Sequence, residues 1–215
     1  MGVDLHPLDD PHGSSSSPGL MRSSVQRALY LMLRRDLDGG PRLQRIREQV
    51  DHMPRQKGLE VTVESGEFDE DHTCEGMQYS PRIAIGNLRA PFLAVLMEDA
   101  DHPNGNFPHW ILWNVERTEL IPRNLPKQEQ FSQPIRGVQG RNGFGRIGYD
   151  APCPPQGAKR RFRFRVFGVS EEIELRPGGT SRNLEDSLEG RILQYGEAYV
   201  TYERPDRKNI PATAP

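Results

Sequence analysis

The sequence is short of cysteine, aromatic residues, net charge and long apolar runs, and each shortage excludes something. Only Cys74 and Cys153 occur in 215 residues, too few for a disulfide scaffold. The two could pair across the chain, but two free thiols in a reducing compartment are the expectation. Lys and Arg number 28 against 30 Asp and Glu, so no overall charge draws the chain to nucleic acid or to an anionic membrane surface. The longest early apolar run, Ala28 to Leu33, is far too short to span a bilayer, and the first twenty residues lack the apolar segment of a secretory signal. A soluble, cytoplasmic protein with no stable membrane insertion is expected. Hydrophobic residues make up 34%, which places part of the chain outside any packed core.

What is present divides by periodicity. Residues 1–19, with a serine run and Pro18-Gly19, read as a disordered tail. Over 20–55 the pattern is helical. Val25, Ala28, Leu29, Met32 and Leu33 mark one face, and Gly39-Gly40 ends it. Leu43, Ile46 and Val50 mark a second stripe after Pro41. This extension is expected to dock its apolar face on the main domain or on a second subunit, which makes a homodimer one expected arrangement. From Leu59 the period becomes two. Strands are expected near 59–64, 82–85, 93–98, 110–115, 161–169 and 198–202. The alternation Arg161, Arg163, Arg165 against Phe162, Phe164, Val166 reads as a sheet with a solvated basic face. Glycine and proline punctuate the connections without a βαβ rhythm, so the fold class is mainly β: an antiparallel β-sandwich with few helices over about 57–205. One helix is expected over 182–194, with Leu184, Leu188 and Ile192 as its stripe. Residues 206–215 read as a flexible tail.

The stretch 93–114, LAVLMEDADHPNGNFPHWILWN, places Asp99, Asp101, His102 and His109 between two apolar runs. These four could ligate a metal and assist hydrolysis, although their spacing matches no compact metal signature. No GxSxG elbow is present, and nothing near Cys153 in sequence would activate its thiol. The segment GVQGRNGFGRIG (137–148) lacks the GK[ST] of a phosphate loop and reads as a tight loop that comes close to a ligand. A pocket for an anion draws on more of these residues. Asp99 accepting a hydrogen bond from His109 would favour the imidazolium and aim its other nitrogen into a cavity. The alternative is that His109 caps a strand and is satisfied by a carbonyl. Spacing alone leaves both open.

Several motifs carry a family resemblance. DADHP (99–103) followed by HW (109–110) resembles the DPDAP…HW signature of the phosphatidylethanolamine-binding proteins, also called Raf-kinase-inhibitor-like proteins. GRNGFGRIGYDAPCPPQG (140–157), CEGMQYSP (74–81) and GEAYVTYER (196–204) resemble further stretches of that family's bacterial branch, in order and in register. The resemblance implies a large antiparallel sheet and a small pocket for phosphate, acetate or a phospholipid-type head group. On it, Asp99, Asp101 and His109 match the pocket acids and first histidine, and Pro154 and Pro155 match the wall. Arg160 and Phe162 stand where the family has His and Tyr, Ala100 and His102 depart from DPDAP, and Ile85 replaces a Trp. An arginine there would make one wall permanently cationic and offer a bidentate fork.

The expected protein is therefore a non-catalytic binding or regulatory protein without cofactor or resident metal. Its ligand is a small anion or phosphorylated group held by Asp99, Asp101, His109, Pro154, Pro155, Arg160 and Phe162. A protein partner, a kinase or protease modulated through the surface, is a further expectation, and nucleic acid is not. The alternatives are the metal-assisted hydrolase and a pure interaction scaffold with a degenerate pocket.

Overall fold

A computed structural model describes residues 44–46, 48–49, 58–64 and 66–206. The expected tails, the first helix of the extension and most of the second therefore lie outside the described residues. Helical residues at 44–46 and 48–49 remain of the extension; Ile46 is buried, and Arg45 pairs with Glu189 at 3.0 Å.

The strands run in the order β1 (Glu60–Val63), β2 (Ile83–Gly86), β3 (Phe92–Asp99), β4 (Phe107–Glu116), β5 (Leu120–Ile121), β6 (Gln130–Phe131), β7 (Gly137–Gln139), β8 (Lys159–Val169) and β9 (Ile192–Glu203). A three-stranded sheet has the order β1-β2-β5, and a six-stranded sheet the order β6-β7-β4-β3-β8-β9. Neighbours within each sheet pair antiparallel. The expected strands all form. β5, β6 and β7, at two or three residues each, escape a pattern that needs at least four alternations.

The core explains why β3 and β4 read as unbroken apolar runs rather than alternating ones. Side chains of a strand point alternately to its two faces, and here both faces of the large sheet are covered. Leu93, Val95 and Met97 of β3 join Trp110 and Leu112 of β4 against Ile83 and Ile85 of the small sheet. Ala94, Leu96, Ile111 and Trp113 point the other way, to Leu184, Leu188 and Ile46. Ile85, which takes the place of a tryptophan in the resemblance, is thus a core residue of β2.

The second layer rests on α1 (Ser181–Leu188). Thr180 caps its start in a reciprocal box with Asn183, which satisfies amide protons that have no partner within the helix. Two corrections follow from this helix. It ends at Leu188 rather than 194, because Gly190 takes a left-handed conformation (φ 79°) that turns the chain into β9. Ile192 fits the helical spacing by coincidence and is a buried strand residue. Secondly, the expected solvated basic face of β8 is covered at Arg163 and Arg165. Glu98 accepts from Arg163 Nη2 at 3.1 Å and from Arg165 Nε at 3.0 Å, and Glu185 of α1 accepts from Arg165 as well. Arginines on a covered face persist only when paired, and the acids that pair them lie 20 or more residues away.

The cysteines overturn a third expectation. Cys74 and Cys153 form a disulfide with a Cα–Cα distance of 5.4 Å, across 79 residues. The fold brings the Cys74 turn beside the 152–155 segment, where the Cys74 amide also donates to the Pro152 carbonyl at 3.1 Å. No helix among the described residues is long and apolar enough to cross a membrane.

Candidate anion-binding pocket

The site lies at the end of the sandwich where β3 ends and β8 begins. Their register pairs Asp99 with Phe162, and strand parity sends Asp99, Arg160 and Phe162 to one face and Arg161 to the other, where Asp101, in the turn after β3, meets it. β4 contributes His109 through an irregularity. Met97 pairs with Trp110 but Glu98 pairs with Pro108, so His109 is an extra residue in its strand. Such a bulge locally re-aims a side chain. The fourth wall is Cys153, Pro154 and Pro155.

Together these residues line a cavity of about 170 Å³, completed by His102, Phe107 and Phe144. It is smaller than the roughly 300–1,000 Å³ typical of drug-sized ligands. Six of the seven expected site residues meet here. Asp101 does not, because Arg161 holds it at the rim in a forked pair with contacts of 2.6 and 3.1 Å. The Arg161 hydrogen bond, only partly opposed by burial, keeps the Asp101 carboxyl below its usual range.

Asp99 does not orient His109. Its Oδ2 accepts from Arg160 Nη1 at 2.6 Å and its Oδ1 from the Asp101 amide at 3.0 Å. His109 is instead anchored by Asp150: Nδ1 lies 2.9 Å from the Asp150 carbonyl oxygen, and the Asp150 amide returns a bond to the His109 carbonyl at 2.9 Å. A carbonyl oxygen only accepts, so Nδ1 carries the proton and neutral His109 presents a lone pair at Nε2. The expectation that imidazolium is favoured is also reversed. Burial of the ring holds its pKa below 6.5, against the opposing pull of the Asp150 carbonyl and the Asp99 charge.

Asp150 is fixed in turn. Arg146 grips its carboxylate through Nε at 2.6 Å and Nη2 at 2.7 Å, and Asn142 donates to it at 3.0 Å. Asn142 Oδ1 also accepts from the amides of Phe144 and Arg146, so one asparagine shapes the glycine-rich loop. Gly143 lets that loop lie on Phe107; a Cβ there would meet the ring at 2.4 Å. The loop carries Phe144, 49% exposed, whose ring stands edge-on to Phe107 and His109 at 4.8 and 5.4 Å.

The expected anion-site residues did not include His102, Phe107 or Phe144, which also line the cavity. His102 stacks on Phe107 at 4.7 Å and its Nδ1 accepts from the Asn104 amide at 3.3 Å, so in the neutral ring Nε2 is a donor. The aromatic residues between and after the histidines were the available signal. The four donors of the hydrolase reading do not form a compact group among the described residues, because Asp101 is drawn outward.

Comparison with known proteins agrees with this fold. The profile described as phosphatidylethanolamine-binding protein matches residues 60–203. A UPF0098 protein of Pyrococcus abyssi is 41% identical over 156 residues, 68% of this chain and 88% of that protein. One from Aquifex aeolicus is 33% identical over 144 residues, 64% of this chain and 82% of that protein. Among solved structures, a Chlamydia trachomatis protein described as a phosphatidylethanolamine-binding protein homologue superposes with a TM-score of 0.61 at 26% identity, covering 69% of this chain and 99% of that one. Escherichia coli YbcL shares the fold at a TM-score of 0.61 and 23% identity, covering 67% and 98%. The chain belongs to the phosphatidylethanolamine-binding protein family.

Proposed function

We propose that this protein is a non-catalytic binding protein whose cavity takes a small anion, above all the phosphate of a phosphorylated head group. The observation that carries the reading is Arg160. It lines the cavity and, of its five N–H donors, gives one to Asp99. The others suit the oxygens of a phosphate, which a guanidinium recognises bidentately. His102 Nε2–H adds a donor, while His109 Nε2 is an acceptor suited to a phosphate that still bears a proton. Phe107, Phe144 and Phe162 supply apolar surface, and the exposed Phe144 suits a ligand that continues beyond the mouth.

The same contacts argue against the hydrolase. Asp101 is committed to Arg161, and Cys153 offers a disulfide sulfur rather than a thiolate. Titrating inorganic phosphate and phosphoethanolamine while following histidine ring NMR signals tests the proposal. The His102 and His109 signals should shift saturably in the wild type, and saturation should weaken at least tenfold in Arg160→Ala. Signals unmoved by tens of millimolar of either ligand would overturn it.

A further inference from the structure

The turn behind the cavity holds a second cluster of ionisable groups. His72 lies at its centre with 1% of its side chain exposed, flanked by Glu64 and by Asp69, which is 58% exposed. Nδ1 of His72 is 2.8 Å from the Tyr79 carbonyl oxygen, so that nitrogen carries a proton. Nε2 lies 2.7 Å from Glu64 Oε2 and 3.5 Å from Asp69 Oδ1. The imidazole nitrogen and the two carboxylates thus converge on one point.

We propose that Glu64, Asp69 and His72 form a site for a divalent transition metal of the zinc type. The donor atoms lie within 4.8 Å of one another. Metal-bound histidines commonly donate their other N–H to a carbonyl, which fixes the tautomer, and His72 already does so. Glu64 Oε1 accepts from the Arg82 amide at 2.9 Å, which orients the carboxylate and leaves Oε2 as ligand. Zinc bonds of about 2.0–2.2 Å at tetrahedral angles separate neighbouring donors by about 3.3 Å. Asp69 is close to that distance from Nε2, and Glu64 would withdraw by about half an ångström. Asp69 reaches solvent, so a water completes four ligands. An imidazole with two carboxylates suits zinc better than calcium, which takes six to eight oxygens. Arg123, whose charge acts on Glu64, is itself bonded to Asp71.

The site would brace the cavity wall. Tyr149, next to Asp150, donates its hydroxyl to the His72 carbonyl at 2.6 Å, and Cys74, two residues on, is tied to Cys153. Calorimetric titration of the full chain with Zn²⁺, and separately with Ca²⁺, tests the assignment without reference to the anion reading. One Zn²⁺ per chain should bind, whereas Ca²⁺ should give no saturable heat. Asp69→Asn, a surface change expected to leave the metal-free melting temperature unmoved, should weaken Zn²⁺ at least tenfold, and His72→Gln should abolish binding. Equal affinity in Asp69→Asn and wild type, or no saturation by millimolar Zn²⁺, would overturn it.

Discussion

Replacing Arg160 by alanine removes the guanidinium that meets the buried carboxylate of Asp99 at 2.6 Å, in a pair whose side chains are 17% and 5% exposed. Fully exposed pairs contribute about 0.2–1 kcal/mol, and removing one partner of a fully buried pair costs about 3–5 kcal/mol. Two unit charges 4 Å apart at an effective dielectric of 20 attract by about 4 kcal/mol. Arg160 keeps some contact with water and Asp99 retains the Asp101 amide, so the expected loss lies below the buried limit, at about 2–3 kcal/mol. Asp99→Asn, which leaves a guanidinium able to reach solvent, should cost about 1–2 kcal/mol. The double variant should cost less than the sum, with a coupling of about 1.5–2 kcal/mol. Urea unfolding of the four proteins, with unchanged slopes, measures this cycle. A coupling below about 0.5 kcal/mol would show a pair screened as on an open surface, and the argument that Arg160 is held in place for a ligand would fail.

Other contacts yield further expectations. Opening the Cys74–Cys153 bond, which closes a 79-residue span, should remove about 4.5 kcal/mol on chain-entropy grounds; a guanidinium midpoint unmoved by reductant would show that the thiols are free. Sulfate, which carries no proton near neutrality, meets the His109 lone pair unfavourably, so it should bind at least tenfold more weakly than phosphate at pH 7.5. That gap should narrow on acidification. Because burial holds His109 below 6.5, bound sulfate must promote protonation, and its affinity should rise as pH falls below 6.5. An unchanged sulfate isotherm between pH 7.5 and 5.5 would contradict the tautomer assigned here. His109 also sets a stability trend of definite sign. The unfolded chain protonates first as pH falls, so the contribution is complete above 6.5 and is lost below it; His109→Gln should flatten that part of a urea-midpoint profile. Arg165→Ala should cost about 3–5 kcal/mol in urea by stranding Glu185 and leaving Glu98 with Arg163 alone; a loss under 1 kcal/mol would mean that α1 does not cover the basic face.

The sequence carried the strands and the cavity better than it carried the polar contacts. Period-two patterns and unbroken apolar runs locate β3, β4 and β8 because burial on one or both faces leaves a direct imprint on residue type. Asp99, His109, Pro154, Pro155, Arg160 and Phe162 were legible because family motifs align them. Pairing was not legible. Arg161, Arg163 and Arg165 look alike along the strand, yet Arg161 meets an exposed Asp101 while Arg165, at 9% exposure, is enclosed by Glu98 and Glu185. Only the docking of α1 distinguishes them. The disulfide was unreadable for the same reason, since a span of 79 residues has no local signature.

His109 shows why a register fault can matter more than residue type. In an uninterrupted β4, residues 109 and 110 would face opposite sides of the sheet. The bulge places Trp110 in the inter-sheet core and sets the His109 ring edge-on to Phe162 at 5.3 Å, on the cavity side. A second bulge near Asn114, at φ 53°, restores the core parity of Val115, while the Asn114 side chain clasps the backbone of Ile173 with bonds of 2.7 and 3.1 Å. Two extra residues in one strand therefore satisfy incompatible demands, a continuous two-sided core and an imidazole directed into the cavity. The charge pattern then follows from position. Asp99 and Arg160 share the cavity face and neutralise each other, and His109, anchored by a carbonyl rather than by Asp99, stays uncharged. On the proposed reading, such a cavity would draw an anion less by net charge than by the unused donors of a neutralised arginine, which would favour a ligand bringing its own proton over one that brings only charge.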